Sequence, residues 1–505
     1  MKSFKIGAIF VVLLAMLFAG STTYLSIGQS DQPQTGGTLA VAVPSEPPGL
    51  NPTTNTAADI DRLVYNNVYE GLVKLDRNGD VVPGLAKSLP EVSDDGLTWT
   101  FELRENVTFH DGSDLTAEDV VATMQRNMTS DQIPNPQYYD SIESVTAVDE
   151  NTVRFKLSER DAKLLFNLAR GDSVILPGGG GESLKSEPNG TGPFQFVEWV
   201  RGDHVTLERN PDYYGTDENG NQLPYLDRVV FKFIPDPSAQ LAALRAGDVD
   251  AVGYDFSPSN AKQLSQSQNF KVLNGVTTTD VILAMNNARE PFNDLRVRRA
   301  VSYAIDRQEL IQGAMFGFGT PIGSHMSPIN PRYVDLTSRY PHDPEQAQAL
   351  LEEAGYGDGI DVTLKVPQQF SYATRSAKII AQQLGEVGIN VEIQVIDFGQ
   401  WVDRVFSNAN YDLSIIGHAE AFDISIYANP DYYFQYDNPR LQDIIDRAER
   451  TTDLDEQKKL YAIAQWIVAD DAATAPLFEL PSLPAMRTEV KGWWQDYPIP
   501  SVDVT

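Results

Sequence analysis

One segment of the chain, residues 411–436, combines a strand end with acidic and aromatic side chains that could bind a ligand. Residues 411–416 form a mostly apolar run, which predicts a buried strand ending at Gly417. Ligands of α/β sheets bind at the carboxyl ends of strands, and Glu420 and Asp423 follow this end closely. A carboxylate there could give a ligand ammonium group charge-assisted hydrogen bonds and orientation. The alternative is that both acids cap loops or pair with surface arginines.

Aromatic side chains are dense in the same segment. They could form the walls of ligand side-chain pockets, although aromatic residues at this density are also typical of core packing. The candidate ligand-binding residues are Gly417, His418, Ala419, Glu420, Asp423, Tyr427 and Tyr433.

No catalytic or metal-binding pattern accompanies these candidates. The sequence lacks a Gly-x-Ser-x-Gly elbow, a His-Glu-x-x-His motif and a Gly-rich loop ending in Gly-Lys-Ser/Thr. Residues 178–181 are glycines, but Glu182 follows them and would repel phosphate. The five histidines are widely spaced, and none forms an i, i+4 pair. We therefore predict no catalytic residue, no cofactor and no metal site.

The charge of the chain argues against nucleic-acid binding. Its 505 residues include 70 acidic and 39 basic side chains, which give a formal net charge of -31. No single segment holds this charge, so it predicts a solvated acidic surface that repels phosphate backbones.

The first 30 residues predict an exported protein. Two lysines precede an apolar run over residues 6–19 and then small residues, which is the layout of a signal peptide cleaved near Ser21. The alternative is an uncleaved anchor, because residues 6–25 are long enough to span a bilayer. The chain has no cysteine, which excludes disulfides and a lipid anchor on cysteine. We expect a periplasmic protein.

The remaining sequence predicts an α/β protein of at least two lobes, because one core supports only about 250–300 residues. Strands dominate the middle of the chain. From residue 286 strands and helices alternate, with strands over 360–366 and 389–396 around a helix over 374–386. This βαβ order implies a mostly parallel sheet covered by helices.

Four stretches of sequence carry a resemblance to a known family. Residues 101–128, FELRENVTFHDGSDLTAEDVVATMQRNM, run from a strand pattern through a His-Asp-Gly turn to a helix with Thr116 as its N-cap. The other stretches cover residues 189–215, 296–311 and 475–480. In this order they resemble the family 5 extracytoplasmic solute-binding proteins, which serve dipeptide, oligopeptide and nickel ABC importers. The resemblance spans nearly the whole chain after residue 35.

The resemblance implies an α/β, two-lobed periplasmic-binding-protein-like fold, of type II and the large cluster C form. Residues 31–74, 189–285 and 476–505 would form a discontinuous first lobe. Residues 75–188 would form an extra subdomain of that lobe, and residues 286–475 the second lobe. The ligand would lie between the lobes, which would close about strands near residues 285 and 475.

The resemblance also bears on the possible roles of Glu420 and Asp423. Peptide-binding relatives have a Gly-Trp pair followed by two acids three residues apart, and the first acid binds the α-ammonium group of the peptide. Here Gly417-His418 precede Glu420 and Asp423, which keep that spacing but lie one residue nearer the glycine. A one-residue deletion would align Glu420 with the amine-binding acid. Without the deletion Ala421 falls at that position, and Asp423 is the nearest acid.

We therefore predict an exported, monomeric binding subunit of an ABC importer, which has no catalytic activity. It would bind an oligopeptide or small peptide-like solute and deliver it to the membrane permease subunits. The same fold could instead bind a non-peptide solute, such as an oligosaccharide, an opine-like compound or a metal chelate. Alternatives of another class are an exported hydrolase, which the motif search disfavours, and a sensory or chaperone-like periplasmic module.

Overall fold

The computed structural model describes residues 33–55, 57–130, 133–254, 256–419, 422–451, 453–498 and 501–505. The chain divides into two compact units, Met1–Thr35 and Gly36–Thr505, and the elements below belong to the second. The predicted signal peptide, residues 1–30, lies outside the described residues.

Within the described residues, the strands in chain order are β1 (Thr38–Val43), β2 (Val73–Leu75), β3 (Val81–Pro83), β4 (Glu91–Val92), β5 (Thr98–Glu102), β6 (Ile142–Asp149), β7 (Thr152–Leu157), β8 (Phe194–Val200), β9 (His204–Arg209), β10 (Arg228–Phe233), β11 (Ala251–Val252), β12 (Phe270–Val272), β13 (Asp280–Met285), β14 (Thr320–Pro321), β15 (Ile360–Pro367), β16 (Ile389–Ile396), β17 (Leu413–His418), β18 (Thr474–Glu479) and β19 (Ala485–Arg487). The helices in the same ranges are α1 (Ala58–Val64), α2 (Ala117–Thr129), α3 (Leu164–Asn167), α4 (Pro237–Ala246), α5 (Pro258–Leu264), α6 (Leu295–Ala304), α7 (Arg307–Met315), α8 (Pro344–Ala354), α9 (Ser371–Glu386), α10 (Phe398–Trp401), α11 (Pro439–Arg450) and α12 (Leu454–Asp470).

Local sequence signals set many of these boundaries. Thr116 caps α2 through a capping box with Asp119, as the N-cap prediction required. Asp343 caps α8, and Gly355 ends it in the left-handed conformation that glycine favours. The predicted strand over residues 389–396 is β16. These elements are confirmed because caps and apolar alternation act over a few neighbouring residues.

The first lobe is built on a seven-stranded sheet with the strand order β12-β19-β11-β1-β10-β9-β8. A four-stranded sheet, β4-β5-β7-β6, and the hairpin β2-β3 come from the chain between β1 and β8. The core of this lobe joins side chains of both larger sheets, because Val41, Phe231, Phe101 and Phe155 belong to one buried cluster.

The second lobe is built on a six-stranded sheet with the order β14-β18-β13-β17-β15-β16. β15 pairs in parallel with β16 and β17, whereas β13 pairs antiparallel with β17 and β18, and β14 antiparallel with β18. The prediction of a mostly parallel sheet was therefore wrong. The βαβ pattern concerns only β15 and β16, whereas β13 enters the sheet from the first lobe and β18 leads back to that lobe.

The positions of β13 and β18 also move the predicted lobe boundaries. The sequence division assigned residues up to 285 and from 476 to the first lobe, yet both strands lie in the six-stranded sheet. Every residue of β13 and β18 is buried. The alternation of strands and helices that starts at residue 286 thus marks the end of a central strand, not the point where the chain changes lobe.

Candidate ligand-binding site

Two short segments connect the lobes and lie side by side. The first crossing segment, residues 273–279, joins β12 to β13, and the second, residues 480–484, joins β18 to β19. Gly275 and Ser482 exchange backbone hydrogen bonds of 3.0 and 2.9 Å. The Leu480 amide donates to the Thr279 carbonyl at 2.9 Å. The crossing segments therefore form a short antiparallel ribbon between the sheets.

A cavity of about 350 Å³ lies against this ribbon. Ligand pockets are commonly about 300–1,000 Å³ and tend to lie between domains, so both the size and the place of this cavity suit a small solute. The crossing segments contribute Thr277, Thr278, Thr279, Leu480, Pro481 and Ser482 to its wall. The first lobe contributes Ala58, Asp61, Arg62, Tyr65, Phe166, Arg170, Gly171, Tyr254, Tyr497, Pro498, Ser501 and Val502, and the end of β17 contributes Ala419.

Two arginines of the first lobe line the cavity and are held in place by neighbouring groups. Arg62, on α1, donates to the Asp59 carboxylate at 3.1 Å, and its guanidinium lies 3.9 Å from the centre of the Tyr254 ring. Arg170 lies 3.7 Å from the Asp172 carboxylate. About a quarter of each arginine side chain is exposed. Two oriented guanidinium groups in a partly enclosed cavity can bind a carboxylate.

Asp61 adds an acidic group to the same wall. Burial, and after it the nearby Asp172, raise its pKa to about 8 against the opposing effect of Arg170 and Arg62. A Cβ atom at Gly171 would lie 2.5 Å from the Asp61 carboxylate, so only glycine allows this close approach. Asp61 can therefore carry a proton near neutral pH, in which state it donates a hydrogen bond instead of presenting a charge.

Of the segment that leads into the predicted acids, the structure places Ala419 on the wall of this cavity. Gly417 and His418 end β17, and Ala419 follows them on the cavity wall. Glu420 lies outside the described residues. Only the backbone of Asp423 is described, at the start of the short 3-10 helix Asp423–Ala428. Proximity of both acids to a ligand thus stays a prediction, supported by the position of Ala419.

The predicted tyrosines lie in the core behind the strand end and not on the cavity wall. Tyr427 and Tyr433 are 1% and 2% exposed. The Tyr433 hydroxyl is 3.0 Å from Nε2 of His418. The Tyr427 hydroxyl is 2.6 Å from Nδ1 of His325 and 2.6 Å from Oγ1 of Thr474. These contacts hold Tyr433 to the end of β17 and Tyr427 to His325 and β18. The density of aromatics in the sequence did not distinguish this packing role from ligand contact.

Burial keeps the histidine of this cluster neutral. His325 is fully buried, and burial followed by the charge of His418 lowers its pKa well below the ordinary value. The rings of His325 and His418 meet edge to face, with 4.8 Å between their centres. The strand end is thus backed by hydrogen-bonded aromatic and imidazole rings, among which His325 is neutral.

Sequence reasoning missed Asp61, Arg62 and Arg170. A signal was available at Arg170-Gly171-Asp172, where two charges interrupt a segment whose apolar neighbours, such as Ala169 and Val174, are completely buried. Charged side chains inside a buried segment need partners or a polar cavity.

Two α/β lobes, two crossing segments and a cavity beside those segments define a two-lobed solute-binding fold. The chain belongs to the bacterial extracellular solute-binding proteins, family 5, whose family model, described as "family 5 Middle", matches residues 80–437. This family consists of binding proteins and not of enzymes, and it confirms both the predicted family and the predicted fold.

Relatives and solved structures match nearly the whole chain. Oligopeptide-binding protein AppA of Bacillus subtilis (strain 168) is 28% identical over 498 residues, which cover 92% of this chain and 90% of AppA. The ABC transporter-associated periplasmic binding protein DppA of Helicobacter pylori, solved with the peptide STSA, is 26% identical with a TM-score of 0.71, covering 92% and 96% of the two chains. AgaA of A. tumefaciens R10, solved with agropinic acid, is 28% identical with a TM-score of 0.70 and the same coverage.

The described residues also bear on membranes and metals. Among those residues, no helix is both long and apolar enough to cross a membrane. In the same part of the chain, no three or more His, Asp or Glu side chains are grouped so that they could hold a metal ion.

Proposed function

We propose that this protein is the extracytoplasmic binding subunit of an ABC importer and that its ligand is a short peptide or peptide-like solute. The observation that carries this proposal is the cavity beside the crossing segments, whose wall brings Arg62 and Arg170 close to the segment that leads into Glu420. A wall with cationic groups on one side and an acid-bearing segment on the other suits a ligand with a carboxylate and an ammonium group. AppA and DppA, which cover this chain almost completely, are an oligopeptide-binding protein and a protein solved with a peptide.

The ligand would lie with its two charged ends on different lobes. Arg62 and Arg170 of the first lobe would bind its carboxylate by charge-assisted hydrogen bonds. Glu420 or Asp423, after β17 of the second lobe, would bind its ammonium group. Because each end then contacts a different lobe, binding would favour the closed arrangement. The cavity volume of about 350 Å³ favours a solute of a few residues.

A non-peptide acid is the second candidate. AgaA, a protein of similar fold and sequence, was solved with agropinic acid. An opine-like acid would use Arg62 and Arg170 in the same way.

The organisation of the protein around this site is part of the proposal. Export would remove a signal peptide near Ser21, or residues 1–30 would stay as an anchor. The first lobe would comprise residues 31–74, 189–279 and 480–505, with the subdomain at 75–188, and the second lobe residues 280–479. A monomer would deliver the ligand to the permease subunits without acting on it chemically.

Mass spectrometry of small molecules that copurify with the exported protein tests the ligand class. A peptide of a few residues is the expected result, an opine-like acid would select the second candidate, and an oligosaccharide or a metal chelate would contradict both. Titration calorimetry with the identified solute then tests Glu420→Gln and Asp423→Asn, which keep shape and remove charge. Loss of one carboxylate from a buried ion pair costs about 2–5 kcal/mol, or about 30-fold to several thousandfold in affinity. Unchanged affinity in both variants would mean that no ammonium group is recognised there.

A further inference from the structure

Two acidic side chains face each other where the six-stranded sheet meets the crossing segments. Asp280, the first residue of β13, is the direct cross-strand partner of Glu479, the last residue of β18. They are 3% and 0% exposed. Thr279 and Leu480, the residues next to them, line the cavity and join the two segments through a hydrogen bond. A buried carboxyl pair thus lies at the second-lobe end of the ribbon.

The surroundings of Glu479 favour one proton on the pair. Its Oε1 accepts a hydrogen bond from Oγ1 of Thr277 at 3.4 Å. No amide or hydroxyl group among the described residues donates a hydrogen bond to its Oε2. The pKa of Glu479 is raised to about 8, and burial is the largest cause. Among the effects that lower this pKa, the hydrogen bond with the Asp280 carboxyl is the largest. The groups that face Glu479 from neighbouring elements are Asp280 on β13, Thr277 and the Thr279 backbone in the first crossing segment, Ser327, and Tyr333, which also interacts electrostatically with Asp280.

We propose that Glu479 and Asp280 share a single proton and that this proton keeps the crossing segments paired. Two carboxylates that touch in a dry environment cannot both ionise without strong repulsion, whereas a carboxyl and a carboxylate form a short charge-assisted hydrogen bond. The single hydroxyl hydrogen of Thr277 is shared between Oε1 of Glu479 and the Leu480 carbonyl, which lies 2.9 Å from Oγ1, so one residue connects the pair to both crossing segments. Loss of the proton would therefore loosen the ribbon next to the ligand cavity.

The direction of the pH effect follows from linkage. The pKa of Glu479, about 8 in the folded protein, lies above its ordinary value of 4.5. Opening the ribbon to water would restore the ordinary value, so opening releases a proton between these two pH values. The opening equilibrium should rise by up to about tenfold per pH unit as the pH rises toward 8, and should become level above it.

Infrared spectroscopy of the ligand-free protein tests the shared proton. The difference spectrum between pH 6 and pH 9.5 should contain the carbonyl stretch of a buried protonated carboxyl, part of which Glu479→Gln removes. Asp61 and Glu70 are further described acids whose pKa is raised. Asp61→Asn and Glu70→Gln are therefore measured as controls and should leave the Glu479 component in place. A spectrum unchanged by Glu479→Gln would overturn the proposal.

Hydrogen exchange at the ribbon tests whether the shared proton keeps the crossing segments paired. After correction for intrinsic rates, protection of the Leu480 and Ser482 amides should fall by up to about a hundredfold between pH 6 and pH 8 in the unsubstituted protein. In Glu479→Gln, protection should be nearly independent of pH, and circular dichroism would confirm that this variant is folded. Asp280→Asn, which keeps one ionisable carboxyl beside a neutral amide, should shift the transition to lower pH. A pH dependence that persists unchanged in both variants would overturn the coupling. Neither experiment requires a ligand, so their outcome is independent of the proposed function.

Discussion

The cavity wall beside α1 carries Asp61, Arg62 and Arg170, whereas the strand end at β17 is backed by His325, Tyr427 and other hydrogen-bonded rings. On the first side, each arginine is oriented by an acid of its own lobe and still lines the cavity. On the second side, hydroxyl and imidazole groups hydrogen-bond one another in the core. In the proposed function, charge on the first side would bind the ligand, whereas the hydrogen bonds on the second side hold the ends of β17 and β18 against the core.

The largest effect should come from removing the charge of the first wall. Arg62→Gln and Arg170→Gln should each lower affinity for the copurified solute about 30- to 300-fold, or about 2–3.4 kcal/mol, because a ligand carboxylate would lose a charged donor. Titration calorimetry measures this loss. Arg154→Gln, at an exposed position on β7, is the matched control and should bind normally. Equal affinities in all three variants would mean that neither Arg62 nor Arg170 binds the carboxylate of the ligand.

The next effect should appear at the second wall and should concern stability. Tyr427→Phe deletes the hydroxyl that contacts His325 and Thr474, so it should lower the free energy of unfolding by about 1–3 kcal/mol. Urea denaturation gives this value. Ligand affinity should change less than about threefold, which is under 1 kcal/mol. A large affinity loss without destabilisation would place Tyr427 in contact with the ligand after all.

A smaller effect should follow from crowding Asp61. Gly171→Ala would place a methyl group within 2.5 Å of the Asp61 carboxylate, and the displacement should cost about 1–2 kcal/mol of stability. Thermal unfolding measures it. Gly385→Ala is the control, because its Cβ would have no atom within 4 Å. Alanine there should stabilise α9 by up to about 1 kcal/mol. Equal melting temperatures in the two variants would show that Asp61 moves away freely.

The smallest effect should be the pH dependence due to Asp61. Its folded-state pKa, about 8, lies above the ordinary value of 3.8, so the folded protein keeps a proton that the unfolded chain releases. Stability should therefore fall as the pH rises from about 4 toward 8 and should become level above 8. Because Asp61 is partly exposed, its share should be well below the roughly 1.4 kcal/mol per pH unit of a fully buried group. Comparing pH 6 with pH 8 in Asp61→Asn isolates that share, and an unaltered slope would exclude it.

The sequence could predict elements, because these depend on neighbouring residues. The acids after the strand over residues 411–416 follow it directly in the chain, and their place in the site stays a prediction. Arg62 and Arg170 are 108 residues apart, and their meeting depends on how α1 packs against the Gly171–Ser173 turn. No local pattern reports such packing. The lobe assignment of β13 failed for the same reason, since an apolar strand fits the centre of either sheet.

The ribbon formed by the crossing segments limits how one lobe can move against the other. Bending a two-stranded ribbon across its flat face leaves its hydrogen bonds in register, whereas sliding one strand past the other breaks the Gly275–Ser482 and Leu480–Thr279 bonds together. At about 0.5–1.5 kcal/mol each, those three bonds make sliding the costly motion. The lobes should therefore rotate about a single hinge axis that lies at the ribbon. A solute would then leave through the edge of the cavity farthest from residues 273–279 and 480–484.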